Sequence, residues 1–268
     1  MLELLKIEYK KIIPYTTFWV IFGLVFTLTP IVFYGIGQFK IQGLPVDMAS
    51  TYRFPDVWNN LTYLASWFNL LIGMCVVILV CNEFSFKTFR QNVIDGQSKA
   101  DFILSKILLM TSFALFSTLY LLVVGALFGF ISSKSGDGLF FKDISYLAIY
   151  GIQALGYMSI GLLIAVLIRS TALSIIIFLF SILIESILQF FVPAPFDKYF
   201  PMEIIANLTP NPIVSSMMNQ VNQGAIQGVQ PPAIFEQIPL SATVGVAIIY
   251  ILVFWSVSYF ILTKKDIR

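Results

Sequence analysis

Two groups of ionisable residues in this chain have spacings that could do chemical work. The first is the stretch Asn82–Asp101, which carries Glu83, Lys87, Arg90, Asp95, Lys99 and Asp101 and the turn signal Asp95-Gly96-Gln97-Ser98. Glu83, Lys87 and Arg90 fall at i, i+4 and i+7, so one helix would present all three on one face, with Phe84, Phe86 and Phe89 supplying apolar contacts. Such a face suits docking, in which charge pairs fix register and partner choice more than raw affinity. The second group centres on Glu185, a lone carboxylate inside an apolar run, with Ser174, Ser181 and Gln189 roughly along the same helical face. A carboxylate at the middle of a membrane helix costs about 2.5–3.5 kcal/mol on insertion scales. That stripe is therefore expected to face protein or a cavity, as part of a substrate path or gate or as an interhelical hydrogen bond.

Much other chemistry is excluded. There is no histidine, hence no Ser-His-Asp triad, no imidazole acid–base catalysis and few routes to a zinc site. The two cysteines, Cys75 and Cys81, lie in one apolar stretch. Six residues of helix place them about 9 Å apart, too far for a disulfide, so they read as packing residues. Neither a Gly-x-x-x-x-Gly-Lys-Ser/Thr loop nor a Gly-x-Gly-x-x-Gly turn occurs. The chain itself is expected to have no catalytic role, cofactor or metal.

The elements that must position these residues follow from composition. The chain is 58% hydrophobic and 11% charged, with a mean hydropathy of +0.88. Soluble domains carry about 25% charged residues, so lipid must be part of this protein's solvent. A net charge of +2 gives no reason to expect a nucleic-acid partner. About 20 apolar residues are needed to cross the hydrocarbon. Six stretches qualify: Thr17–Gln38, Leu61–Cys81, Phe102–Ile131, Ser145–Ile168, Ser170–Val192 and Ser241–Thr263. Each should be helical, which makes the fold all-α, a single polytopic membrane domain over residues 1–268. Residues 1–16 have no small-residue cleavage site and read as an amphipathic interfacial helix, with Leu2, Leu5, Tyr9, Ile12 and Ile13 at helical spacing.

With the N-terminus in the cytoplasm, eleven Lys and Arg fall inside (Lys6, Lys10, Lys11, Lys87, Arg90, Lys99, Lys106, Arg169, Lys264, Lys265, Arg268) and five outside (Lys40, Arg53, Lys134, Lys142, Lys198). Both termini are expected to be cytoplasmic, in a bacterial cytoplasmic membrane. Gly125/Gly129 and Gly161/Ala165 are small-xxx-small pairs that let helices approach closely, within one subunit or between two. Residues 193–240 hold eight of the twelve prolines. They are expected to form an extracytoplasmic cap with short or re-entrant helices over Met202–Leu208 and Ile213–Val221.

The pattern from Glu83 onward resembles a known family. An acidic residue ends the second span; then come Lys87-Thr88-Phe89-Arg90, Asp95-Gly96-Gln97-Ser98-Lys99, and Ile103-Leu104-Ser105-Lys106 leading into the third span. This is similar to the permease subunits of type-2 ATP-binding cassette exporters, in which an acidic residue precedes a Gly-Thr-like stretch, a Pro/Gly-x-Ser-Arg/Lys turn and a Leu-Ser-Lys lead into the next helix. The layout of an amphipathic N-terminal helix, six spans and a capped last outer loop is similar too. One departure is that Lys87 stands where many relatives have glycine before the threonine. The resemblance implies a permease that pairs as a homo- or heterodimer and docks on separate ATPase subunits, which bind the ATP and magnesium. Glu83, Lys87, Arg90, Asp95, Gly96, Ser98, Lys99 and Asp101 would be the region of contact or transmission. A non-transporting anchor or signalling subunit remains open as an alternative. A secondary transporter fits less well, since paired ionisable groups within the spans are missing.

Overall fold

Apolar segments of this length can satisfy their backbone only internally when water is absent, and the computed structural model is all-helical among the described residues, 2–38, 51–133, 139–193, 196–212, 214 and 238–264. Helices α1 (Leu2–Ile12) and α2 (Thr16–Gln38) are followed by α3 (Asp56–Ser66), α4 (Asn69–Ser85) and the short α5 (Thr88–Ile94). Then come α6 (Lys99–Ser132), α7 (Ser145–Ile168), α8 (Thr171–Gln189), a 3₁₀ turn at Phe196–Tyr199, α9 (Pro201–Ala206) and α10 (Leu240–Lys264). Five of these, α2, α6, α7, α8 and α10, are long and apolar enough to cross a membrane. At 34 residues, α6 is about 51 Å long. It exceeds the hydrocarbon thickness of about 30 Å.

The segment Leu61–Cys81, expected to be one helix, is instead part of a bent pair. Helices α3 and α4 together qualify as a span but meet at 42°. The break has a local cause: Trp67 N–H and Phe68 N–H donate to Leu64 O and Ala65 O at 3.3 and 3.0 Å, tightening the last turn of α3 into i→i−3 bonds. Asn69 opens α4 fully buried, where its Nδ2 donates to Gln153 Oε1 of α7 at 3.4 Å.

Helix α7 is the hub, touching α3, α4, α6, α8, α9 and α10. Its contact with α4 is a backbone approach, for a Cβ on Gly161 would lie 2.9 Å from Gly73 O. The other glycine pair receives aromatic rings. A Cβ on Gly125 would meet the Trp58 ring at 2.6 Å, and one on Gly129 the Phe54 ring at 2.1 Å. Both small-residue pairs therefore serve packing within one chain. Cys75 and Cys81 are buried free thiols, and Cys81 Sγ lies 3.4 Å from Ser174 Oγ.

Candidate functional site

Helix α5 lies at the end of the bundle where α4 stops and α6 begins. Its boundaries are set by backbone chemistry. Lys87 adopts a left-handed conformation (φ 58°, ψ 15°) between α4 and α5, a region that favours glycine. At the other end Gly96 (φ 98°) closes the helix: Gly96 N–H donates to Val93 O at 3.2 Å and Gln97 N–H to Asn92 O at 2.9 Å. These paired bonds satisfy carbonyls the helix end would otherwise leave open. Two residues later the expected cap on α6 is present. Ser98 Oγ accepts from Asp101 N–H at 3.0 Å, and an Asp101 carboxylate oxygen accepts from Ser98 N–H at 3.2 Å.

Helix α5 is held from within by aromatic packing. Phe89 is buried, 4.6 Å from Phe102 edge-on and 5.4 Å from Phe84 (ring centroids). The Arg169 guanidinium, at the α7–α8 turn, sits 5.1 Å above the Phe84 ring. Outward, the segment shows Phe86, Lys87, Arg90, Gln91, Ile94, Asp95 and Gly96. Phe86 and Ile94 are 73% and 76% exposed.

Glu83 departs from the expected arrangement. The left-handed break at Lys87 rotates α5 away from α4, so Glu83 does not share a face with Lys87 and Arg90. It points inward, where Lys106 of α6 donates to it. Lys106, which orientation counting places with the cytoplasmic charges, is 1% exposed and also donates to Glu8 of α1. Lys11 bridges the same two carboxylates, 3.5 Å from Glu8 and 3.3 Å from Glu83, and Ser105 Oγ donates to Glu8 at 3.0 Å. Two lysines and two glutamates thus form a neutral buried cluster that clips α1 to α4 and α6. Burial pushes the Glu8 carboxyl up, but Lys106 and Lys11, with hydrogen bonds from Lys106 and Ser105, outweigh it and hold the carboxyl below its ordinary 4.5.

Helix α1 therefore differs from a simple interfacial helix. Glu8 and Ile12 face the bundle, and Tyr9 and Ile13 are exposed. Tyr9 Oη also donates to Ser112 Oγ of α6 at 2.9 Å. Sequence reading missed Glu8, Lys11 and Lys106. Their signal, three charges flanking the apolar onset of α2 and α6, is shared by any solvated helix end.

The remaining site residues divide by role. Asp101 and Ser98 are committed to the α6 cap. Lys99 Nζ donates to Thr263 O at 3.2 Å, tying the start of α6 to the last turn of α10. Lys87, Arg90, Asp95 and Gly96 of the expected set are turned outward beside Phe86 and Ile94, and Ser98 is exposed while it caps α6.

In α8, Ser174 is fully buried and Ser181, Glu185 and Gln189 are half-buried, while most intervening residues are exposed, so the polar stripe faces the bundle. Glu185 Oε2 accepts from the backbone N–H of Met202 at 2.8 Å and of Glu203 at 3.4 Å, both in the first turn of α9. Ser181 Oγ returns a bond to Phe178 O at 2.6 Å. Helix α9 (Pro201–Ala206) overlaps the expected Met202–Leu208 but starts one residue earlier and ends two residues earlier; the second expected helix, Ile213–Val221, lies outside the described residues apart from Val214.

No curated protein matches the sequence. A family model described as protein of unknown function (DUF2705) matches residues 32–268, a stretch that begins inside α2 and includes α5, α9 and Glu185. The match covers most of the chain, which accordingly belongs to the DUF2705 family.

Proposed function

We propose that this protein is the membrane-spanning permease subunit of an ATP-binding cassette exporter in a bacterial cytoplasmic membrane. On this reading α2, α3–α4, α6, α7, α8 and α10 make six spans, both termini are cytoplasmic, and a second permease subunit completes the transport path. The permease moves substrate out of the cytoplasm or the inner leaflet, driven by ATP hydrolysis in a separate ATPase subunit.

One observation carries the proposal. The segment Phe86–Gln97 is closed at both ends by backbone devices, pinned from within by Phe89, and turns Phe86, Lys87, Arg90 and Ile94 away from the bundle. A solvated loop needs none of that rigidity. An element that transmits a push needs it, and two large apolar side chains among cations suit a partially apolar cleft with an acidic rim. The ion-pair cluster behind α5 would carry displacement of α4 and α6 into α1. The motif resemblance points to the same segment.

The protein should bring a soluble ATPase with it when purified in mild detergent. Reversing Lys87 and Arg90 together to Glu should weaken that complex by about tenfold or more, since like charges set against an acidic rim cost several kcal/mol. Stimulated ATP hydrolysis should fall with it. Lys87→Gly is the control, because it suits the left-handed backbone and removes only one charge. Unchanged assembly and turnover in the double reversal would rule out a coupling role for this face. ATPase binding without ATP-dependent export would favour the anchor subunit instead.

A further inference from the structure

At the end of the bundle opposite α5, α9 is held in an unusual way. It has six residues, too few to be stable alone. Yet Met202, Ile204, Ile205 and the following Leu208 are all 3% exposed or less. A short helix buried in apolar surroundings leaves most of its backbone groups without internal partners, and leaving them unmet is expensive.

Here each pole is met by a side chain from a different long helix. Glu185 of α8 takes the N–H groups of Met202 and Glu203. Gln153 of α7 gives its Nε2 to Ile205 O at 3.0 Å and Ala206 O at 3.2 Å, and also to Thr209 Oγ1 at 3.0 Å. Gln153 is itself fully buried and steadied by Asn69. Ile205 fills the notch at Gly156, where a Cβ would lie 3.0 Å from it. Tyr250 of α10 donates to Tyr199 O just before α9.

The depths are informative. Gln153 is eight residues into α7, about 12 Å from its start, and Glu185 is four residues from the end of α8, about 6 Å. Helix α9 thus sits in the bundle between α7, α8 and α10.

We propose that α9 is a re-entrant plug closing this end of the bundle, with Glu185 and Gln153 as its two latches. The plug has two states because it cannot persist undocked: it is seated with both poles bonded, or released with its backbone bonded to water. The apolar seal comes from Ile205 and Leu208. The latches are side-chain bonds that water can replace, which lets the seal open without unfolding a long helix. The plug is independent of the coupling reading, since it lies at the other end of the molecule and its test needs no ATPase.

The test uses the full chain in lipid nanodiscs, open to reagent on both faces. Ile205→Cys, with Leu208→Cys as a second reporter, is probed with a charged maleimide. Buried Cys75 and Cys81 serve as internal controls. The introduced thiols should be protected in the otherwise native chain. Adding Glu185→Leu or Gln153→Leu should raise their labelling rate about tenfold or more, because each removes at least two hydrogen bonds from the seated state. Glu185→Gln should stay near the parent rate, since its amide oxygen still accepts both N–H groups. Three results would overturn the plug: thiols already reactive in the parent, thiols still protected in both latch variants, or Cys75 and Cys81 reacting together with the reporter. The last would mean that the two side chains hold up the whole bundle.

Discussion

Lys106→Met should cost about 3–5 kcal/mol of stability, the range for removing one partner of a buried ion pair. The size follows from the partners left behind. Glu8 and Glu83 have side chains 3% and 9% exposed, and without Lys106 they face each other across a buried site with the half-buried Lys11 as their remaining cation. A methionine fills a similar volume, so the loss is electrostatic rather than steric. The triple change Glu8→Leu, Glu83→Leu and Lys106→Met should recover most of the loss, because an apolar set of similar volume removes the desolvation cost together with the pairing. Thermal unfolding of the purified protein in one detergent measures both variants against the parent. A loss below about 1 kcal/mol in Lys106→Met would show that the cluster behaves as a surface pair.

The pH dependence has a definite sign. The Glu8 carboxyl is held below its ordinary 4.5, so its contribution is complete above that value and is lost as pH falls through the depressed one. In Lys106→Met the sign reverses, since protonating a carboxylate then relieves repulsion, and mild acid should stabilise the variant.

The long helices were legible because their cause is local. Helix α7 runs over the expected Ser145–Ile168, and α2 begins one residue before the expected Thr17. An apolar run bounded by polar residues has no other way to satisfy its backbone. The cap at Ser98 and the turn at Gly96 were legible for the same reason, since each needs only its immediate neighbours. The bend at Trp67–Phe68 was not. It contains no Pro or Gly, and the buried Asn69 that accompanies it finds its partner 84 residues away in Gln153.

The candidate site failed at the same point. Lys106 and Glu8 are 98 residues apart, and nothing in a sequence distinguishes a lysine that snorkels to water from one that turns inward. Glu185 stood out as a lone carboxylate, but its partners are backbone amides of α9, which have no signature in residue type. Reading Glu83, Lys87 and Arg90 as one face assumed an unbroken helix, and a single left-handed residue undid it.

Phe89→Ala tests whether α5 is rigid because of what lies beneath it. Emptying a buried Phe site costs about 3–5 kcal/mol, and a seven-residue helix has little stability of its own to absorb that. The Phe89 ring packs on Phe84 and Phe102, which sit at the ends of α4 and α6 rather than in the middle of the bundle. The damage should therefore be local. Amide exchange across Phe86–Gln97 should accelerate strongly while the protection of α7 holds. The outward side chains Phe86, Lys87, Arg90 and Ile94 keep their identity in this variant, so a partner that recognised residues alone would still bind. If the segment transmits force, stimulated ATP hydrolysis should collapse even where some binding survives, because a melted α5 bends instead of pushing. Phe89→Leu, which refills most of the site, should restore both protection and turnover in part. Unaltered exchange in the segment, or an increase spread evenly over the bundle, would show that α5 draws its order from elsewhere.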